Sequence, residues 1–244
     1  MLLTLPHILL VPYGTSRFAP TDVSVAEVGT RLSLSSKAPC VVIDRRDGQP
    51  LRLNSGQFAP ALPPDPTRAG EDQLGFIRDE LKRLCGEWDR ISHRFLDWYF
   101  AAITAEVRRH ESELSARLAG TEGLFKPGDW VFSAPLPLPR AQLYAPAPGG
   151  DADDAGFIEA PFAFWLGDAL TAVRAHEHAR TPRRAAAEDA RLAAAGIGRV
   201  TFRAAELADA QSDLLHRILP PPHTAFWLGQ TLPMGPFRPA GLAE

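Results

Sequence analysis

Residues 157–207 have the sequence FIEAPFAFWLGDALTAVRAHEHARTPRRAAAEDARLAAAGIGRVTFRAAEL, and this stretch decides the fold. Its first nine residues are apolar or aromatic except for Glu159, which predicts a buried strand. Gly167 and Asp168 predict a tight turn into a second short strand over 169–174. We therefore expect the stretch to begin with a β-hairpin.

A helix and a third strand are predicted after the hairpin. Thr181 suits the N-cap and Pro182 the first position of a helix over 183–195, and Gly196 suits its end. A strand over 197–202 follows almost at once. Such a short helical connection is typical of a crossover that lays a strand parallel to an earlier one. The fold class expected from this order is α+β.

The order hairpin, helix, strand, helix resembles the core of the PD-(D/E)XK nuclease superfamily over roughly residues 125–219. The segment RRAAAEDARLAAAGIGRVTFRAAEL is similar to very-short-patch-repair-like members. In those proteins an Arg- and Glu-rich helix ends in a Leu and then a Gly before a strand. Leu192, Gly196 and the strand 199–202 match this pattern. The resemblance implies a C-terminal α/β domain with a restriction-endonuclease-like sheet.

The catalytic residues of that superfamily are an Asp on one strand and Glu-x-Lys on the next, which hold a divalent metal that activates water. The alignable positions here are Pro161 for the Asp, and Arg174 with His176 for the Glu-x-Lys. Proline cannot ligate a metal, and arginine is a permanent cation. The resemblance thus implies a degenerate, non-cleaving domain without a cofactor. The alternative is an active Mg²⁺-dependent nuclease with relocated ligands, for which the candidates are Glu159, Asp168, His176 and Glu177.

Arginines outnumber acids between residues 168 and 203, which favours a basic face that contacts phosphates. The nucleic-acid-binding residues predicted on this ground are Arg174, Arg180, Arg183 and Arg184. The protein would then bind nucleic acid or serve as a subunit of a nucleic-acid-processing or defence assembly. A structural or adaptor protein without nucleic acid is the further alternative. No metal site is predicted, because His176 and His178 have no third ligand at a suitable spacing.

Residues 72–119 contain no proline and place apolar side chains in steps of three and four, which predicts a long helical region. A single straight helix of that length would be about 70 Å long, so a break is expected near Gly86 or after His110. Trp98 and Tyr99 add aromatic surface beside the apolar stripe. They are interpreted as contacts to a protein partner, with burial in a core helix as the alternative.

Three regions are predicted along the chain: a β-rich part over 1–70 with a hairpin at 40–53, a helical part over 71–120, and the nuclease-like domain over 121–244 with a Pro-rich tail. The 244 residues are 45% hydrophobic and 23% charged, with a net charge of −3, which is typical of a soluble globular protein. We expect a bacterial, cytoplasmic protein. Its two cysteines form no disulfide framework, and no signal peptide or membrane span is indicated.

Overall fold

The computed structural model describes residues 7–15, 23–28, 31–53, 70–121, 124–146, 156–176, 181–210 and 213–233. Helices and strands are mixed, as the α+β class requires. The chain divides into two compact units. Unit 1 combines Met1–Pro50 with Pro137–Thr201, and unit 2 combines Leu51–Leu136 with Phe202–Glu244. These boundaries differ from the three-part division predicted along the chain.

The described strands and α-helices are named in chain order: β1 (Ile8–Pro12), β2 (Val23–Val28), β3 (Arg31–Ser36), β4 (Cys40–Asp44), α1 (Gly70–Cys85), α2 (Arg90–Arg109), α3 (Glu111–Arg117), β5 (Leu138–Tyr144), β6 (Phe157–Trp165), β7 (Leu170–Ala175), α4 (Pro182–Ala194), β8 (Gly198–Phe202), α5 (Leu214–Ile218) and α6 (Pro221–Leu228). None of these helices combines the length and the apolar character needed to cross a bilayer.

The main sheet contains four strands in the order β5-β6-β7-β8. β6 pairs antiparallel with both β5 and β7, so the predicted hairpin is confirmed. β8 lies beside β7 after the α4 crossover. A Cβ on Gly198, at the start of β8, would lie 3.2 Å from the Thr171 hydroxyl near the start of β7. The two strands therefore begin at the same edge and run parallel, which makes the sheet mixed.

The hairpin predicted over 40–53 is wrong. β4 pairs antiparallel with β1, and a short 3₁₀ turn, Arg45–Asp47, follows it. The Asp44 carboxylate accepts a 3.0 Å hydrogen bond from the Arg46 amide, and Gly48 has a φ of 59°, so these residues redirect the chain. The turn signal was therefore real, but the strand that β4 pairs with precedes it in sequence.

The 3₁₀ turn packs against the β6–β7 turn within unit 1. The Trp165 indole donates a 2.9 Å hydrogen bond to the Gln49 carbonyl. Gly167 has a φ of 103°, and a Cβ there would lie 2.5 Å from the Gly48 carbonyl oxygen. Glycine is required at 167 both by the backbone conformation and by this close approach.

The long helical region of unit 2 is confirmed, and it breaks at both expected places. α1 ends before Gly86, which has a φ of 92°, and α2 is separated from α3 by His110. Asp89 caps α2, because its carboxylate accepts a 3.0 Å bond from the Ser92 amide. The His93 ring nitrogen Nε2 lies 3.0 Å from the Gly86 carbonyl, which ties the α1–α2 turn to α2.

Two predictions for unit 2 are wrong. The apolar run at 130–133 predicts a strand, but these residues belong to a 3₁₀ segment, Pro127–Ser133, whose buried Trp130 carbonyl accepts a 2.7 Å bond from the Trp227 indole. The sequence also predicts one helical run over 204–219, but a 3₁₀ segment, Ala204–Ala208, begins this stretch and α5 occupies only its last part. The prolines at 220–222 are predicted to end this helix, and α5 does end at Ile218; α6 then begins at Pro221, because proline also suits the first turn of a helix.

Candidate functional site

The first candidate acid, Glu159, lies on β6 next to the interruption of the β5–β6 ladder. The ladder skips Arg140 and Pro161, although the residues on either side pair. Pro161 has no amide hydrogen to donate, and Arg140 takes a φ of 47°. The Arg140 guanidinium lies 3.3 Å from the Glu159 carboxylate, so this acid has a cationic partner.

The described candidate acids do not come together. Asp168 is exposed in the β6–β7 turn, whereas Glu159 and His176 lie near the other end of the hairpin. Six residues of extended strand separate the two ends, which corresponds to roughly 20 Å. Among the residues that the structure describes, no group of three or more His, Cys, Asp or Glu side chains is placed to hold a metal ion. Glu177 lies outside the described residues.

Arg174 on β7 is held by two acids of α4 and is not free to contact a phosphate. Its side chain is only 15% exposed. One guanidinium nitrogen lies 2.6 Å from the Asp189 carboxylate and another lies 3.5 Å from Glu188. Because charge-assisted hydrogen bonds of this kind are strong when partly buried, Arg174 fastens α4 to the sheet. The prediction of a nucleic-acid contact by Arg174 therefore conflicts with its surroundings.

The neighbouring arginines extend this cluster, which we name the α4 ion-pair network: Arg174, Arg184, Glu188, Asp189 and Arg199. Arg184 lies 3.1 Å from Glu188, one helical turn away. Arg199 on β8 pairs with Asp189. With three arginines and two acids, the network keeps a formal charge of +1, but its arginines are engaged in ion pairs.

Two of the predicted phosphate contacts lie outside the α4 ion-pair network. Arg183 is exposed in the first turn of α4. Arg180 belongs to a segment outside the described residues. Of the four arginines predicted to bind nucleic acid, Arg183 is thus the one that the described structure leaves both exposed and outside the network.

Sequence reasoning missed the structural role of Glu188 and Asp189. The spacing of Arg184 and Glu188, four residues apart on one helix, is a known signal for an ion pair. The pairing of Asp189 with two neighbouring strands had no local signal, because it depends on how α4 lies on the sheet.

Trp98 and Tyr99 are buried in unit 2, so the predicted partner contact through these side chains is corrected. The Trp98 indole donates a 2.9 Å bond to the Asp209 carbonyl. The Tyr99 hydroxyl donates a 2.6 Å bond to the Pro135 carbonyl, and burial raises the pKa of Tyr99 well above its usual value. Phe95 lies beside both rings, with centroid distances of 5.6 and 6.2 Å. The alternative of a core helix agrees with this packing.

Comparison with protein-family models, curated proteins and solved structures finds no match for this chain.

Proposed function

We propose that the protein is a non-catalytic, nuclease-like protein that acts by binding, as a subunit of a nucleic-acid-processing or defence assembly. The order of β6, β7, α4 and β8 is compatible with the resemblance to the PD-(D/E)XK core. The proposal concerns the mixed four-stranded sheet, whose strand order supports the resemblance.

The observation that carries the proposal is the environment of Arg174. The resemblance aligns this position with the glutamate of Glu-x-Lys, where an active enzyme needs a metal-binding carboxylate. Here a cation lies 2.6 Å from the Asp189 carboxylate and is largely shielded from solvent. A divalent metal at the same place would be repelled by the guanidinium, and Asp189 already has two arginine partners. This favours a binding role over phosphodiester hydrolysis.

Direct contact with nucleic acid, if it uses α4, depends on Arg183. Each phosphate contact by a cation adds about 0.9 to the slope of log affinity against log salt concentration for duplex DNA. A contact through Arg183 alone, the exposed arginine of α4 outside the ion-pair network, therefore gives weak, salt-sensitive binding, and further contacts would have to come from elsewhere in the assembly.

The test uses a panel of labelled DNA and RNA with the full chain, at low and moderate salt, with Mg²⁺ and with chelator. We expect no cleavage under either metal condition. We also expect weak retention that falls as salt rises and that Arg183→Glu reduces. The matched control is Arg90→Glu, which changes an exposed arginine at the start of α2.

Mg²⁺-dependent cleavage would overturn the non-catalytic assignment and would favour the nuclease alternative with relocated acids. Equal loss of binding in the Arg183→Glu and Arg90→Glu variants would refute a specific contact through α4. A chain that binds no oligonucleotide at the lowest salt would contradict direct nucleic-acid binding and favour the structural or adaptor alternative.

A further inference from the structure

The turn between α1 and α2 presents an exposed tryptophan. Trp88 is 87% exposed, whereas each of the other four tryptophans of the chain is at most 3% exposed. Fully exposed tryptophan is unusual on a protein surface, and tryptophan is among the residues that contribute most to the energy of protein interfaces.

The backbone around Trp88 is fixed by a glycine and by two hydrogen-bonded side chains, His93 and Asp89. Gly86 takes the left-handed conformation, and the His93 ring bridges the carbonyls of Lys82 and Gly86 at 3.1 and 3.0 Å. On the other side of Trp88, the Asp89 carboxylate binds the Ser92 amide and hydroxyl. A side chain held out on a rigid turn loses less conformational entropy on binding than one on a mobile loop.

The same helix pair contains an open groove near the opposite end of the α1–α2 hairpin. Its volume is about 870 Å³, and its floor is made of small and apolar residues that include Gly75, Ala101 and Ala105. Ala101 is exposed and Gly75 is half-buried. Small side chains at these positions leave room for an indole ring, whereas long side chains would block it.

The charges of the groove and the turn are complementary. The groove is lined by Arg78, Arg108, Arg109 and Asp97. Arg78 lies 3.7 Å from the Asp97 carboxylate and Arg109 pairs with Glu106, so the exposed Arg108 is the cation of this lining that takes part in none of the described ion pairs. The turn carries Glu87 and Asp89 beside Trp88. Arginine also stacks favourably on an aromatic face, so the rim of the groove suits both the acids and the indole.

We propose that a second copy of this chain occupies the groove, with Trp88 of each copy inserted between α1 and α2 of the other. About twelve helical residues separate Trp88 from Ala101, which corresponds to about 18 Å along α2. In an isologous dimer one two-fold axis places each turn at the groove of the other copy, and the separation of about 18 Å between the two features sets the offset between the copies. This inference does not depend on the proposed function.

The first test measures the mass of the full chain by sedimentation velocity over a concentration series. We expect a reversible dimer whose dissociation constant rises on the order of a hundredfold or more in Trp88→Ala, since the substitution removes the anchor twice. Ala101→Gln fills the groove with a longer side chain that favours helix, and it should weaken the dimer to a similar degree. Leu124→Ala is the control, because Leu124 is 74% exposed and lies outside the helix pair.

The second test uses intrinsic fluorescence, which reports on the site directly because Trp88 is the exposed tryptophan. Quenching by acrylamide should decrease as the wild-type concentration rises, and Trp88→Phe should abolish that dependence. Glu87→Arg and Arg108→Glu should each weaken the dimer about tenfold, and the double variant should recover part of the loss, as coupled residues do.

A chain that stays monomeric at every concentration would overturn the proposal. So would a dimer that is insensitive to both Trp88→Ala and Ala101→Gln, or one in which acrylamide still reaches Trp88. If single-stranded oligonucleotides protect Trp88 while the chain remains monomeric, the indole binds bases and not a second copy. Circular dichroism of each variant establishes that a lost dimer is not a lost fold.

Discussion

Replacing Arg174 with methionine tests whether this residue holds the fold together or contacts a ligand. Methionine keeps an apolar stem of similar length, so the substitution removes mainly the charge and its hydrogen bonds. The side chain is 15% exposed, and its short contact is the 2.6 Å bond to Asp189. The 3.5 Å approach to Glu188 is too long to add much.

The expected loss in the free energy of unfolding is about 2 kcal/mol. A hydrogen bond to a charged group contributes about 1.5–3 kcal/mol. Removing one partner of a fully buried ion pair costs about 3–5 kcal/mol, but Asp189 keeps Arg199 and Glu188 keeps Arg184 in this case. These remaining ion pairs stabilise the carboxylates that lose Arg174, so the expected loss lies within the lower of these two ranges.

The assay is urea unfolding of the wild type, Arg174→Met, and the control Arg183→Met, which removes an exposed arginine of α4 and should change stability by less than about 0.5 kcal/mol. Asp189→Asn combined with Arg174→Met should cost less than the sum of the single changes, because the two residues interact directly. The reasoning is refuted if Arg174→Met is as mild as the control. It is also refuted if that variant loses oligonucleotide binding while it keeps its stability.

Three further outcomes follow from the described contacts. Gly167→Ala should destabilise the protein by about 3 kcal/mol, because Gly167 has a positive φ and an added Cβ would clash with the backbone. Gly196 also has a positive φ but open space around it, so Gly196→Ala should cost only about 1 kcal/mol. Thermal unfolding compares the two variants. Tyr99→Phe should lose about 1–2 kcal/mol in the same assay, because the buried Pro135 carbonyl would lose its donor. Burial raises the pKa of Cys40 to about 11, so its thiol should react slowly with iodoacetamide at pH 8 and faster as the pH approaches that value; equal rates in folded and urea-unfolded protein would contradict this.

Local signals predicted the β6–β7 hairpin and the α4 crossover well. The apolar run of β6, the Gly-Asp turn, and the Thr-Pro start of α4 each act within a few residues, and each element lies within two residues of its expected bounds. A break of the long helical region near Gly86 or after His110 was also predicted, and the structure has one at each of these places.

Long-range pairing explains what the sequence did not predict. The residues of β4 carry the correct strand signal, but nothing local selects β1 as their partner over the segment after the turn. The prolines at 220–222 have two roles, because α5 ends at Ile218 just before them and α6 begins at Pro221. The second role has no local signal, since the bond that the Trp227 indole donates to the Trp130 carbonyl depends on tertiary packing.

The arginine cluster shows why composition alone is a weak guide to a binding surface. The excess of arginine over acid between residues 168 and 203 predicts a basic face, yet Arg174, Arg184 and Arg199 are paired with two acids of α4. An arginine that is needed to fasten a helix cannot also neutralise a phosphate without breaking those bonds. Exposing a large apolar side chain to water costs free energy, so such a side chain is a better indicator of a binding surface than an ion-paired arginine. By that criterion Trp88, on its rigid turn, is a stronger candidate than the arginines of α4.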